Sequence, residues 1–179
     1  MNTLTKLALG MIGQLKAKPV EAYAASTLPL PPAQTTGGLP LMQARRRRQS
    51  QREFDPAPLP DELYRYNAGI HDLHMVRPTD VRRVTGYRDF VDRAPLDLVY
   101  VALHERLKLV PAAQRDCYAW LAAGAMSQIA YLYCVGVGLS TVIRAWIDRS
   151  GLGQAMALSA DEQVLVAQTV GLPAAAGPV

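Results

Sequence analysis

The sequence predicts an α+β fold in which helices and strands interleave around a sheet. Three observations carry this. The stretch from Pro111 to Gly138 is apolar on nearly every helical face. Runs rich in β-branched and aromatic residues flank it at Leu96 to Leu103 and at Leu139 to Ile147. An alternating segment around Asn67-Ala68-Gly69 reads as a β-hairpin. With 179 residues, 50% hydrophobic and 19% charged, the chain can bury one real core, which excludes collagen-like, coiled-coil and wholly disordered readings. No internal repeat is visible.

Taken in order, Met1 to Ala25 holds Lys6, an apolar stretch from Leu7 to Leu15, and Ala22-Tyr23-Ala24, a small-x-small pattern like a signal-peptidase site. Lys16, Lys18 and Glu21 interrupt the region that should be neutral, so a cytoplasmic location is expected, with export through a weak N-terminal signal as the alternative. Residues 26–40 are rich in Pro, Thr and Gly and read as an extended arm. From Pro40 to about Gln51 there is no interior breaker, which predicts a short helix with Arg45 to Arg48 at its carboxyl end, the sign the macrodipole favours. Arg52-Glu53-Phe54 is expected as a short strand, and prolines at 56, 58 and 60 force a loop.

The hairpin spans Leu63 to Val76. Pro78-Thr79-Asp80 starts a short helix over Val81 to Thr85 that ends near Gly86. Pro95 bounds the strand Leu96 to Leu103. The helix from Pro111 ends at Gly136 and Gly138; such an all-apolar helix belongs in a core or at a subunit interface. The strand Leu139 to Ile147 follows, then Asp148 and Ser150 offer caps for a helix to Leu158. Asp161-Glu162 makes a turn, and Val164 to Val170 a last strand.

Lys and Arg total 19 against 15 Asp and Glu, a net charge of +4, and much of the excess sits in Arg45 to Arg48. A local cluster suits a phosphate better than a long nucleic-acid track, so no nucleic-acid partner is expected, and no stretch is long and apolar enough for a membrane span. Cys117 and Cys134 are both expected as buried thiols. His71 and His74, three apart on one expected strand, point to opposite faces and complete no ligand set with His104, so no metal is expected. Ser140 and Ser159 lack a nucleophile elbow, and Gly136-Val137-Gly138 lacks the following helix of a dinucleotide fingerprint.

The constellation most able to carry chemistry is Arg48-Gln49-Ser50-Gln51-Arg52. Two arginines four apart with a hydroxyl between them can surround one phosphate, the guanidinium forks supplying paired donors. A solvated basic helix end has the same spacing.

Its neighbours add to it. Gln34 to Ala44, Arg47 to Phe54, Pro58-Leu59-Pro60, Leu63 to Tyr66, Asp89-Phe90-Val91, Ala94 to Val101, Gly138 to Asp148 and Ala167 to Gly171 together resemble nitroreductase-family flavoproteins, in the branch similar to peptide azoline dehydrogenases. The resemblance implies a mixed sheet flanked by helices, and a homodimer with FMN at the interface. It implies hydride passing from NAD(P)H through the flavin to a small oxidised acceptor. It assigns Arg48, Gln49, Ser50 and Arg52 to the flavin phosphate, ribityl chain and pyrimidine edge, and the stretch with Ile143, Arg144, Ala145 and Trp146 to the side of the ring. Trp146 reads equally well as a core residue.

Two departures stand out. Relatives carry a helix and a gripping loop where Pro60-Asp61-Glu62-Leu63 closes the gap here, and Ala174 to Val179 lacks the basic residue many of them place there. The expected organisation is a leader and arm over residues 1–39, a truncated nitroreductase-like domain over 40–173, and a tail over 174–179. Beside the enzyme stand two alternatives: a flavin-free, dimerising, non-catalytic remnant of the family, and a basic module in which Arg45 to Arg48 contacts an acidic partner or nucleic acid.

Overall fold

The structure, a computed structural model, describes residues 26–55, 62–85 and 90–174. The expectations for a leader, for the loop of prolines 56, 58 and 60, for a helix end near Gly86 and for most of the tail lie outside these residues.

The described residues form two compact units, one from those up to Ala33 with Glu62–Pro78 and one from the remainder. The first is a three-stranded antiparallel sheet of β1 (Thr27–Pro29), β2 (Leu63–Asn67) and β3 (Asp72–Arg77), ordered β1-β3-β2. Its hairpin turn is set by Asn67, whose side-chain oxygen accepts from Gly69 N at 2.9 Å. The turn runs further than predicted, through Ile70 and His71. His71 takes a left-handed conformation (φ 55°), held by Tyr66 Oη at 2.9 Å and by Pro31 O at 2.9 Å. It therefore lies in the turn and not on the strand, while His74, buried in β3, sits 2.8 Å from Asp72. Among the described residues no three His, Cys, Asp or Glu side chains could share a metal ion.

The larger unit is built on β4 (Leu96–Leu103), β5 (Ser140–Arg144) and β6 (Glu162–Gly171), all antiparallel, with β6 in the middle. Burial of every residue from Val164 to Gly171 explains its near-continuous apolar sequence. Three helices accompany the sheet: α1 (Leu41–Arg47), α2 (Ala112–Gly136) and α3 (Arg149–Ala155). One core cluster joins Ala119 and Ala123 of α2 to Ala102, Leu165 and Val166; another joins Leu152 of α3 to Ile147, Val164 and Ala167. No helix among the described residues is long and apolar enough to cross a membrane.

Helix ends follow local chemistry. Pro111 precedes α2, and its far end closes as a Schellman motif: Gly138 adopts φ 81° and Leu139 N reaches Cys134 O at 2.7 Å. That reversal starts β5. Asp148 caps α3 by accepting from Gly151 N at 2.9 Å. The first helix stops at Arg47, short of the predicted Gln51, because Gln51 N donates to Thr141 O at 3.1 Å and draws the chain out along the sheet edge. The strand expected at Arg52-Glu53-Phe54 reduces to a single bridge between Phe54 and Pro173. Short 3-10 turns at Arg82–Thr85, Val91–Arg93 and His104–Leu107 complete the unit.

Helix α2 buries mostly small side chains against the sheet and leaves most of its large ones outside. The buried side chains are Ala119, Ala123, Ser127, Tyr131 and Cys134, whereas Leu121 and Ile129 are 72% and 67% exposed. Small residues at four-residue spacing let the helix lie close to the sheet, and the large ones face away. Cys117 shares the outward side and is exposed, contrary to expectation; Cys134 is buried, and that burial pushes its thiol above the ordinary cysteine range. Alkylation of the folded protein at pH 8 is therefore expected to modify Cys117 and spare Cys134, as peptide mass mapping would read directly. Equal labelling of the two would contradict this packing.

Candidate functional site

The segment from Arg48 to Phe54 runs along the outer edge of β5, and two cavities open beside it. The larger, about 390 Å³, is lined by Arg46, Arg47, Gln49, Gln51 and Tyr131 with Val135, Leu139, Ser140 and Thr141. The smaller, about 150 Å³, is lined by Arg52, Phe90 and the run from Val142 to Trp146.

Each predicted site residue can be placed. Arg48 is half-buried with its guanidinium 5.1 Å from the centre of the Tyr131 ring, a cation–π contact. Ser50 Oγ lies 2.8 Å from Tyr131 Oη. Gln49 is exposed and faces the larger cavity. Arg52, Ala145 and Trp146 are exposed and meet at the smaller one. At 74% exposure Trp146 is no core residue, which closes that reading.

Arg144 behaves differently from its neighbours. Its side chain is buried and held by four contacts: Nη2 pairs with Asp97 at 2.8 Å, Nε donates to Thr169 Oγ1 at 2.9 Å, Nη2 reaches Thr85 Oγ1 at 2.9 Å, and Nη1 donates to Thr85 O. Asp97 in turn accepts from the hydroxyls of Thr85 and Thr169, each at 2.6 Å. The network occupies four of the guanidinium's five N–H donors; Arg144 serves the cavity chiefly by fixing where β5 ends.

Sequence reasoning gave no site role to four polar residues here: Gln51, Tyr131, Ser140 and Thr141. Ser140 Oγ donates to Gln51 Oε1, and Thr141 Oγ1 donates to Thr169 O at 2.7 Å. Gln168, wholly buried, donates to Thr141 Oγ1 at 3.1 Å and accepts from Tyr100 Oη at 2.7 Å. Burial moves the Tyr100 phenol above its ordinary range, the Cys134 thiol adding to the shift, so it stays a neutral donor. Only the four-residue spacing of Ala119, Ala123, Ser127 and Tyr131 hinted that Tyr131 faces inward.

A family model described as the nitroreductase family matches residues 67–172. The chain belongs to the nitroreductase family. A Ralstonia eutropha structure assigned as a nitroreductase is 35% identical over 90% of this chain and 96% of its own, with a TM-score of 0.78. Two others share the fold at lower identity. The Vibrio harveyi NADPH:FMN oxidoreductase complexed with NAD+ is 19% identical over 78% of this chain and 71% of its own, TM-score 0.56. The Escherichia coli microcin synthetase McbBCD complex with truncated pro-MccB17 bound is 21% identical over 64% of this chain and 46% of its own, TM-score 0.56. No curated protein matches the sequence. The α+β nitroreductase fold is thus as expected, and the oxidoreductase family with it.

Proposed function

We propose that this chain is an FMN-dependent oxidoreductase that takes hydride from NAD(P)H and delivers it to a small oxidised acceptor, acting as a homodimer. The observation that carries the reading is the meeting of Arg52, from the first motif, with Arg144, Ala145 and Trp146, from the end of β5, around one cavity. Bound flavin would supply the hydride chemistry itself. The chain's part is to bind and orient. Arg48 and Ser50 offer a guanidinium fork and a hydroxyl to the phosphate. Arg52 brings positive charge to the cavity, which favours negative charge accumulating beside it. Ala145 and Trp146 wall the ring's side.

The donor set fits a phosphorylated, planar, electron-accepting group, with one qualification of size. Ligand sites commonly run from about 300 Å³ upward, and 150 Å³ encloses only part of a flavin. A second protomer would complete the enclosure, in keeping with the outward apolar side of α2. The compact chain also has a relative that aligns with it over nearly the full length of both.

The test is a flavin titration of the purified full chain, followed by fluorescence quenching. Saturable quenching, with the Arg48→Ala/Arg52→Ala double variant weakened about 100-fold or more, is the expected result, since hydrogen bonds to charged groups contribute about 1.5–3 kcal/mol each. A native protein that stays colourless and quenches nothing favours the non-catalytic remnant. Unaltered binding by the double variant would assign those arginines to another ligand.

A further inference from the structure

Tyr131 is absent from every motif considered above, yet three parts of the site converge on it. It projects from α2, is 5% exposed, and lies against the free edge of β5. An edge strand leaves every second residue's backbone groups unpaired, and here two of those groups are answered: Thr141 O accepts from Gln51 N at 3.1 Å, and Ile143 N donates to Tyr131 Oη at 2.9 Å. The same phenol oxygen stands 2.8 Å from Ser50 Oγ, and the ring supports the Arg48 guanidinium.

One direction is fixed by these contacts. A backbone N–H can only donate, so Tyr131 Oη is the acceptor toward Ile143. Across the 2.8 Å contact with Ser50 Oγ either oxygen can donate, and the relay takes Tyr131 as the donor and Ser50 Oγ as the acceptor. With that direction the hydroxyl proton of Ser50, an exposed residue, points away from Tyr131, whose ring also carries the Arg48 guanidinium. The relay Ile143 N–H to Tyr131 O–H to Ser50 O–H ends in a donor. We propose that Tyr131 is a positioning residue that makes Ser50 a dedicated donor beside Arg48, so that this corner selects a phosphate monoester over an uncharged polyol end. The inference deepens the flavin reading and rests on it: its consequence is preference for FMN over riboflavin, which share a ring and differ at that terminus.

Tyr131→Phe keeps the ring and the cation–π contact while removing the relay. Titrating both flavins into native protein, Tyr131→Phe, Ser50→Ala and the double variant separates the possibilities. Tyr131→Phe is expected to weaken FMN about tenfold or more while leaving riboflavin within about twofold, with Ser50→Ala behaving alike and the double variant no worse than Ser50→Ala. A merely structural tyrosine would move both flavins together, and that result, or no change in either, overturns the proposal. Were Tyr131→Phe not to fold, Ser50→Ala with undiminished preference for FMN would overturn it equally. Native protein that binds neither flavin defeats the functional reading and this one with it, whereas native binding with an unselective Tyr131→Phe defeats this one alone.

Discussion

Replacing Arg144 by methionine is expected to lower the melting temperature by about 10 °C. The guanidinium and the Asp97 carboxylate are 7% and 4% exposed, so the pair is desolvated and relies on its internal partners. Methionine fills the volume but leaves Asp97 charged in the interior with only the hydroxyls of Thr85 and Thr169 for company. Breaking a buried pair from one side costs about 3–5 kcal/mol, and for a chain of this size each kcal/mol shifts the midpoint by about 2–4 °C. Adding Asp97→Leu should return much of the loss, because two apolar side chains carry no stranded charge. Thermal unfolding by circular dichroism of the two single variants and the pair reads this; an Arg144→Met midpoint within 2 °C of native would refute it. Because Ala145 and Trp146 leave directly from Arg144, the single variant should also weaken flavin binding at temperatures where it remains folded.

Arg144 also shows where sequence reading stops. The motif resemblance put it at the site, and its backbone is there, but its side chain turns inward to Asp97 on β4, two strands away with β6 between them. Nothing local in Ser140 to Arg144 announces a partner that far along the chain. The elements themselves were legible for physical reasons: Pro111 and the Gly136, Gly138 pair bound α2, Pro95 bounds β4, and the β-branched run from Val164 marks the central strand. The polar interior was not, since Gln168 and Thr169 within that run have the composition of an exposed turn and are wholly buried, with partners on β4, β5 and α2. The reach of α1 was misjudged for a similar reason, because the contact that ends it, Gln51 to Thr141, is tertiary.

The orientation of α2 was illegible because a helix apolar all round offers no moment to read, and its outward side now sets the second large effect. From Cys117 to Gly136 there is no Asp, Glu, Lys or Arg, and Tyr118, Leu121, Met126, Ile129 and Tyr133 are all more than half exposed in the protomer. At 100° per residue, Tyr118, Leu121 and Ile129 fall roughly opposite Ala123 and Ser127, so one side serves the sheet and the other is an apolar surface interrupted by Gln128. A patch of that kind marks an association site. The double variant Leu121→Glu/Ile129→Glu places two charges where the homodimer would bury them, each costing several kcal/mol unless paired. At 1.4 kcal/mol per tenfold, dissociation should strengthen by at least about 100-fold. Sedimentation at micromolar concentration is expected to show a native dimer and a monomeric variant, with the variant's thermal midpoint near that of an isolated protomer, since neither side chain contributes to the protomer's own core. Flavin affinity should fall with the dimer, because the 150 Å³ cavity alone encloses too little of the ring. A native protein that sediments as a monomer across that range, or a monomeric variant with undiminished flavin affinity, would sever the link between α2 and the site.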